Sequence, residues 1–455
     1  MICTDSRDIR PGDVFVAIPC TNVVPHIQQA LQLGASLVFT EETSFPDNRI
    51  ITVSDAFLVA SHLSRVTYPT QPKNVIAITG TNGKSSVAHF VSQIWQYCRI
   101  KSANLGTLGL FVDGNKTNSL DIPDLTTPDA LHLHKILSWL KSNAVDNIIF
   151  EASSAALDQK RLHSVSLSVA AFTNFALDHL DYHKTREEYL IAKLRLFSEV
   201  LPQNRPAVIS VDDESLYKRV QSVHPNVITY GYDSKNVIYA YDISATINKI
   251  KFNLNIDKTV FENLELNLCG DFQLSNVLTA IALTYSTGIP AETIVKAIQC
   301  LTPLNGRMEC VALYNEVHVF IDYAHTADGF RKALLEFKKY TTNRLICVFG
   351  CGGNRDASKR PEMGKIANNL ADMVIVTDDN PRNEDPASIR CEILASCPKG
   401  VEIADRQEAI ETALKISTPG DTVAIIGKGH ETVQVYGNKK YDFNDRTVVT
   451  NFVGK

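Results

Sequence analysis

The segment Gly80-Thr81-Asn82-Gly83-Lys84-Ser85-Ser86 is where residue types and spacing point most directly to chemistry. It follows a short β-rich run, Val75 to Thr79, and opens a helical pattern from Lys84 to about Tyr97. In a strand–turn–helix of this kind, loop N–H groups and the helix N-terminus bind phosphate oxygens. Lys84 adds a positive charge beside them, and the Ser85 hydroxyl is of a type that ligates Mg²⁺. The match to G-x-x-x-x-G-K-[ST] is incomplete, because Ile78 stands at the first glycine position.

A second group lies in FTNFALDHLDYHKTREEYLIAKLRLF, residues 172–197. Asp178, His179, Asp181 and His183 follow a predicted strand, Val169 to Phe172. Imidazoles among carboxylates suit a divalent metal or a phosphate-bearing ligand. A solvated loop leading into an amphipathic helix fits the same spacing. Glu151, after a predicted strand ending at Phe150, reads either as a site carboxylate or as a helix N-terminal charge. By pattern alone Lys193 is an exposed helix lysine.

The third group is made of turns: GCGGNRD at 350–356, DDNPRNEDP at 378–386 and GKGHE at 427–431. Glycines allow close backbone approach, and Arg355 suits an anion. Asp379-Asn380-Pro381 has ordinary turn chemistry, but a turn has no need of the Arg382 guanidinium. Each of these turns follows a predicted strand, at 345–349, 373–377 and 422–426. Together they predict a concave polar site on one sheet edge.

The elements that position these groups read as α/β. Val14 to Ile18 and Leu37 to Phe39 are strand-like and 26–33 is helical, giving a small N-terminal α/β domain, 1–71. Prolines at 69 and 72 mark a linker. A central domain, 72–304, is predicted as a P-loop-type parallel sheet, with strands at 75–79, 147–150, 169–172 and 207–210. Helices are expected at 128–142, 185–200 and 274–286, and a β-rich stretch at 226–268. A C-terminal domain, 305–455, alternates strands with helices near 327–340, 361–371, 386–395 and 406–416, the pattern of a doubly wound Rossmann-like sheet. Composition agrees with a globular chain of this kind. The 455 residues allow two to four domains, and 44% hydrophobic with 21% charged residues argues against long disorder. A net charge of −5 leaves no basic face for nucleic acid. Apolar runs such as Leu345 to Phe349 fall far short of the ~18 residues of a membrane span. The charged start MICTDSRDIR predicts no export signal, and the scattered ten cysteines predict reduced thiols in a cytoplasmic protein.

The motifs and their order resemble those of the Mur ligases, the ATP-dependent amide-forming family of peptidoglycan synthesis. They are DSR (5–7), GTNGKSS (80–86), TTPD (126–129), EASS (151–154), DHLDYH (178–183), AKLRLF (192–197), GRME (306–309), DYAHT (322–326), GCGGNRD and GKGHE. DNPR at 379–382 is similar to the motif of the branch that adds meso-diaminopimelate as the third residue of the stem peptide. The resemblance implies three domains and a cytoplasmic, monomeric enzyme using ATP and Mg²⁺. It implies that Thr4 and Ser6 hold the UDP-sugar. Thr126, Thr127, Ser153, Gln159 and Arg161 would line the path of UDP-MurNAc-L-Ala-D-Glu. Gly80, Thr81, Asn82, Gly83, Lys84, Ser85, Ser86, Asn276, Arg307 and Asp322 would hold the nucleotide. Ser85, Glu151 and His179 would ligate Mg²⁺ together with Lys193 as its carbamate, and Lys84, Glu151, His179 and Lys193 form the catalytic set. Arg355, Asp379, Asn380, Pro381, Arg382, Gly427 and Glu431 would receive meso-diaminopimelate.

Charge supports the last assignment. Meso-diaminopimelate is lysine with an additional carboxylate, which a planar guanidinium binds in a fork. With lysine, a buried Arg382 would stay unpaired, at a cost on the order of 3–5 kcal/mol. The chain departs from the family at Ala155, where a histidine is usual, at Ala327, where proline is usual, and in PCTNVVPH after Ile18, which lacks a glycine-rich segment. Two other readings are a folylpolyglutamate synthetase and a nucleotide-binding scaffold with a decayed site. The DSR unit and DNPR oppose the first, and the set Lys84, Glu151, His179 and Lys193 opposes the second.

Overall fold

The computed structural model describes residues 1–117, 119–123, 125–176 and 182–454. It is an α/β structure built on parallel sheets. The chain forms two compact units, one of Met1–Asp242, Phe252–Leu264 and Ser275–Leu301, the other of Ile243–Lys251, Glu265–Leu274 and Thr302–Lys455.

The first unit begins with a four-stranded sheet, Ile2–Cys3, Val14–Val16, Leu37–Thr40 and Ile50–Thr52 in sequential order. All of its strands are parallel. Phe15, Ile27, Ala30 and Val38 make its core with the helix Val24–Gln32. The unusual segment after Ile18 passes through a turn and enters that helix at Val24, with a proline in the first helical turn, where a missing N–H costs nothing. A helix not foreseen in the sequence, Ala56–Thr67, is capped by Asp55, which accepts from the Leu58 N–H. The linker, 68–73, carries neither helix nor strand.

A larger sheet has eleven strands. Its parallel heart runs Ala207–Ser210, Val169–Phe172, Asn74–Thr79, Asn147–Glu151, Ser102–Gly106. Val75, Ile76, Ala77 and Ile78 are all fully buried, as expected of a strand covered on both faces. The register is what matters for a site. Ile78 lies opposite Glu151, and Thr79 lies opposite Phe172, so the carboxyl ends of these strands stand level. Ligands of open α/β sheets bind at that edge. Glu151 is the last residue of its strand rather than the residue after it. The helix expected over 185–200 is α from Arg186 to Arg195 and then widens into a π turn, Leu196–Val200.

The second unit holds a six-stranded sheet in the order Glu309–Tyr314, Val317–Asp322, Thr422–Ile426, Leu345–Phe349, Met373–Val376, Gly400–Glu402. Its first strand is an antiparallel edge and the rest are parallel. Asp322, Ile426, Phe349 and Val376 are in register, which aligns the turns that follow them. A hairpin, Val433–Tyr436 with Lys439–Asp442, and a last helix, Asp445–Val453, were not foreseen. All the cysteines are free, and among the described residues no helix is long and apolar enough to cross a membrane.

His134, in the helix Ala130–Ser142, is fully buried, and neither ring nitrogen has a hydrogen-bond partner. Burial, reinforced by the Arg65 charge, pushes its pKa from 6.5 down to about 4. The unfolded chain therefore binds the proton more readily, and stability falls as pH drops from 6.5 toward 4. The expected loss is on the order of 3 kcal/mol. Urea titrations of the wild type and of His134→Leu across that range check it, the variant showing the shallower dependence. Equal slopes would dismiss His134 as the source.

Candidate active site

Gly80 leaves its strand at φ +145°, and a Cβ there would stand 1.9 Å from Thr173 Oγ1. Gly83 caps the helix Lys84–Tyr97 at φ +87°, and a Cβ there would meet Asn276 Oδ1 at 2.5 Å. The loop is gripped by the segment that follows the neighbouring strand. Thr173 Oγ1 donates to the Asn82 carbonyl at 2.6 Å, and the Asn82 N–H donates to Asn174 Oδ1 at 3.0 Å. The Thr81 N–H donates to the Asn174 carbonyl at 2.9 Å, and its hydroxyl to the Ala176 carbonyl at 3.1 Å. Sequence reading missed Thr173, Asn174 and Ala176. Their one signal was position, directly after a strand adjacent to the phosphate loop. Lys84 Nζ donates to the carbonyls of Gly80 at 2.9 Å and Thr81 at 3.0 Å.

Glu151 is 3% exposed and sits at the centre of a polar arc. Its Oε1 accepts from Ser85 Oγ at 2.8 Å and from the Thr107 N–H at 3.2 Å, and its Oε2 accepts from Thr107 Oγ1 at 3.3 Å. A Cβ at Gly106 would lie 2.1 Å from Glu151 Oε1, so glycine makes room for the carboxylate. Thr107 Oγ1 is 3.1 Å from Thr126 Oγ1, and Thr127 Oγ1 donates to the Glu151 carbonyl at 2.7 Å. Ser153 caps the helix Ser154–Asp158. Arg161 donates to the Thr127 carbonyl at 2.5 Å and, through Nε and Nη2, to Gln159 Oε1 at 3.0 and 2.6 Å. Thr126, Thr127, Ser153, Gln159 and Arg161 are thus brought together beside the phosphate loop. Ala155 is in the short helix that Ser153 caps.

Lys193 is not the exposed helix lysine that its pattern suggested. It is 1% exposed, with Nζ donating to the Gly80 carbonyl at 2.8 Å and lying 4.5 Å from the Tyr189 ring centroid. His183 packs against the same ring at 5.3 Å. His179, with Asp178 and Asp181, lies outside the described residues. Among the described residues no three His, Cys, Asp or Glu side chains are grouped to hold a metal. Ser85 and Glu151 do supply adjacent hard oxygens of the kind Mg²⁺ takes.

Ser6 is buried, and its hydroxyl donates to Gln29 Oε1 at 2.7 Å and lies 3.2 Å from His26 Nδ1. Expected as a sugar contact, its hydroxyl is engaged in this structure by the helix Val24–Gln32. Thr4 is half-buried.

In the second unit, Arg307 lies over the Tyr323 ring at 4.5 Å. Asp322 accepts from the N–H groups of Met308 at 2.7 Å and Ala324 at 2.8 Å, and burial raises its pKa. A Cβ at Gly350 would meet the Thr377 carbonyl at 2.2 Å, and one at Gly353 would meet that of Pro381 at 1.9 Å. These two turns touch backbone to backbone. Gly427, at φ +119°, brings its turn to Asp379, whose Oδ2 would be 2.9 Å from a Cβ there. Asn380 donates to Glu431 Oε2 at 2.7 Å, and Lys428 Nζ donates to Asn380 Oδ1 at 3.0 Å and Glu431 Oε2 at 2.9 Å. Burial alone would raise the Glu431 pKa, but the Lys428 ammonium and the Asn380 amide outweigh it and hold the carboxyl low. Asp379 is raised by burial, against the pull of Arg406 and Lys428. Arg406 is itself buried and paired with Asp445 at 2.7 Å.

Asp379, Asn380, Pro381, Arg382, Gly427 and Glu431 therefore share one cluster, with Arg355 exposed. Arg382 departs from expectation. It is half-buried, and its Nη1 already donates to the Gly353 carbonyl at 2.8 Å. The penalty for leaving it without a carboxylate is correspondingly smaller than for a fully buried charge. Sequence reading missed Arg360, buried and bonded to Glu384 at 2.9 Å and Glu392 at 3.1 Å, which ties the helix Lys359–Leu370 to the 378–386 turn. Acidic, amide and guanidinium groups around glycine backbone form a site suited to a zwitterion.

Two family models match the chain, the Mur ligase middle domain over 78–284 and the Mur ligase, glutamate ligase domain over 306–429. The chain is 40% identical over 454 residues to the UDP-N-acetylmuramoyl-L-alanyl-D-glutamate--2,6-diaminopimelate ligase of Agrobacterium fabrum, covering 98% of this chain and 92% of that protein. The protein of the same name from Rickettsia prowazekii is 39% identical, with 99% and 95% covered. A solved structure of a ligase of that name is similar at a TM-score of 0.73 and 30% identity, covering 100% of this chain and 94% of the other.

Gly106→Ala tests the packing around Glu151. The added methyl must displace the carboxylate, and overpacking of this kind costs about 1–3 kcal/mol. Thermal unfolding should show a lowered midpoint. An unchanged midpoint would mean that Glu151 moves aside freely.

Proposed function

The chain belongs to the Mur ligase family, and from that membership we propose that it joins meso-diaminopimelate to the D-Glu γ-carboxylate of UDP-MurNAc-L-Ala-D-Glu, converting ATP to ADP and phosphate in cytoplasmic peptidoglycan precursor synthesis. Relatives about 40% identical over nearly the whole chain carry that activity in their names. The observation that carries the reading is the cluster of strand-end turns in the second unit, where Asn380, Arg382 and Glu431 stand among glycines. Such a set suits an amino acid bearing one carboxylate more than lysine. We assign the sugar end of the substrate to 1–71, through Thr4 and Ser6, the nucleotide and dipeptide to 72–304, and the incoming amino acid to 305–455.

A carboxylate and an amine do not condense in water without activation. The γ-phosphoryl group passes to a carboxylate oxygen, giving an acyl phosphate and ADP. The amine then attacks the carbonyl carbon, phosphate leaves, and the nitrogen loses a proton. Most of the catalysis is positioning and charge neutralisation. With the Thr81 and Asn82 N–H groups taken by Asn174, the remaining N–H groups of 80–86 and the Lys84 ammonium hold the phosphates, in a loop stiffened by Thr173 and Asn174. Thr126, Thr127, Ser153, Gln159 and Arg161 hold the dipeptide so that its carboxylate meets the phosphoryl group. Asn276 serves the nucleotide, and Arg355 the amino acid at the rim. Ser85, Glu151 and His179 are the residues that would hold Mg²⁺, which when bound offsets phosphate charge. A buried ammonium at Lys193 would oppose that ion, whereas its carbamate, formed when the ammonium first gives up a proton and the neutral amine then adds CO₂ with loss of a second, would favour it.

Phosphate release with ATP, Mg²⁺ and the UDP-dipeptide should be faster with meso-diaminopimelate than with lysine. Equal or faster turnover with lysine would sink the substrate assignment. Lys193→Ala should lose activity by at least about a hundredfold and regain part of it with an added short carboxylic acid. Full activity in the plain alanine variant would end the carbamate role. Arg382→Ala should raise KM for meso-diaminopimelate roughly tenfold or more while KM for ATP stays put.

A further inference from the structure

Arg382 occupies the left-handed region at φ +52°, a conformation a long side chain seldom adopts. It is held there from outside its own turn. The Arg382 N–H donates to the Val435 carbonyl at 3.0 Å, and the Arg382 carbonyl accepts from the Gly437 N–H at 2.6 Å. Both partners belong to the hairpin Val433–Tyr436 and Lys439–Asp442 or to the tight turn joining its strands. The same hairpin grips the rest of 378–382. The Val435 N–H donates to Asn380 Oδ1 at 3.0 Å, Gln434 donates to the Asp378 carbonyl at 3.3 Å, and the Tyr436 hydroxyl donates to Asp378 Oδ2 at 2.9 Å. So fixed, Arg382 lies across the Gly352–Gly353 turn, where a Cβ on Gly352 would be 2.8 Å from Nη1.

We infer that this hairpin is a specificity device, with Gly437 and Tyr436 acting as positioning residues that set where the Arg382 guanidinium meets the incoming amino acid. The inference rests on the amino-acid pocket proposed above. Its logic is geometric. A residue at positive φ projects its Cβ in a different direction from one at negative φ, and an unsupported arginine relaxes to the negative side. Removing the hairpin's bonds therefore swings the guanidinium away from its place over the glycines. The phosphate loop belongs to the first unit and does not depend on these bonds.

Gly437 suits a clean test, because it is exposed and a Cβ there meets nothing within 4 Å. Gly437→Pro removes the N–H that Arg382 accepts from and forbids φ +57°. Gly437→Asn keeps the N–H and tolerates that conformation. Steady-state kinetics on the full chain should show KM for meso-diaminopimelate raised about tenfold in Gly437→Pro, with KM for ATP within about twofold of wild type. The preference for meso-diaminopimelate over lysine should narrow by a similar factor. Gly437→Asn should match wild type, and Tyr436→Phe should raise the same KM several-fold. If Gly437→Pro fails to fold, Tyr436→Phe decides alone. An unchanged KM in the folded variants overturns the inference, as does an asparagine variant as impaired as the proline one, or an equal rise in KM for ATP. Wild-type enzyme that prefers lysine would instead overturn the pocket itself, and is read before any variant is made.

Discussion

Backbone packed against its neighbours with no room for a methyl group is the constraint on which this molecule rests. It recurs wherever chemistry-bearing side chains are set. At Gly80 the neighbour is the Thr173 hydroxyl, at Gly106 the Glu151 carboxylate, and at Gly350 and Gly353 the carbonyls of the adjoining turn. Each glycine lets a strand end approach closely enough for a polar group to be fixed by main-chain geometry rather than by a flexible side chain. The level carboxyl ends of parallel strands supply the positions, and the glycines supply the closeness.

Charge is handled in the same interior manner. Lys193, Lys428, Arg360 and Arg406 are all nearly inaccessible, and each has a named acceptor in Gly80, Glu431, Glu384 or Asp445. Buried cations are tolerable only when so paired. The net charge of −5 conceals this, because an average over the surface says nothing of cations gathered under strand ends.

Much of this was legible in the sequence because it is carried by local pattern. The helix Lys84–Tyr97 and the strand Val169–Phe172 lie where apolar periodicity and punctuation place them. The phosphate loop announces itself in one short run. What was not legible depends on contacts remote in sequence. Thr173 and Asn174 look like loop residues until the strand before them is known to lie beside Asn74–Thr79. Lys193 reads as a surface lysine because its helix is polar for most of its length, and only its packing beneath Gly80 buries it. The Ser6 hydroxyl is engaged by a helix some twenty residues on, a contact that nothing local to DSR foretells. The hairpin at 433–442 was missed because its second strand is exposed and lysine-bearing, with no apolar face to mark it.

The order of strands also governs when the phosphate loop can mature. Thr79 and Thr173 are 94 residues apart along the chain, as Asn82 and Asn174 are 92 apart, yet each pair is in hydrogen-bond contact. Closing so long a loop precedes any reward from the contacts it makes. During synthesis the glycine loop and its helix leave the ribosome well before the segment that braces them. The nascent chain therefore carries an unbraced glycine turn until Ala176 has emerged, and the bracing of that turn is a property of the completed sheet.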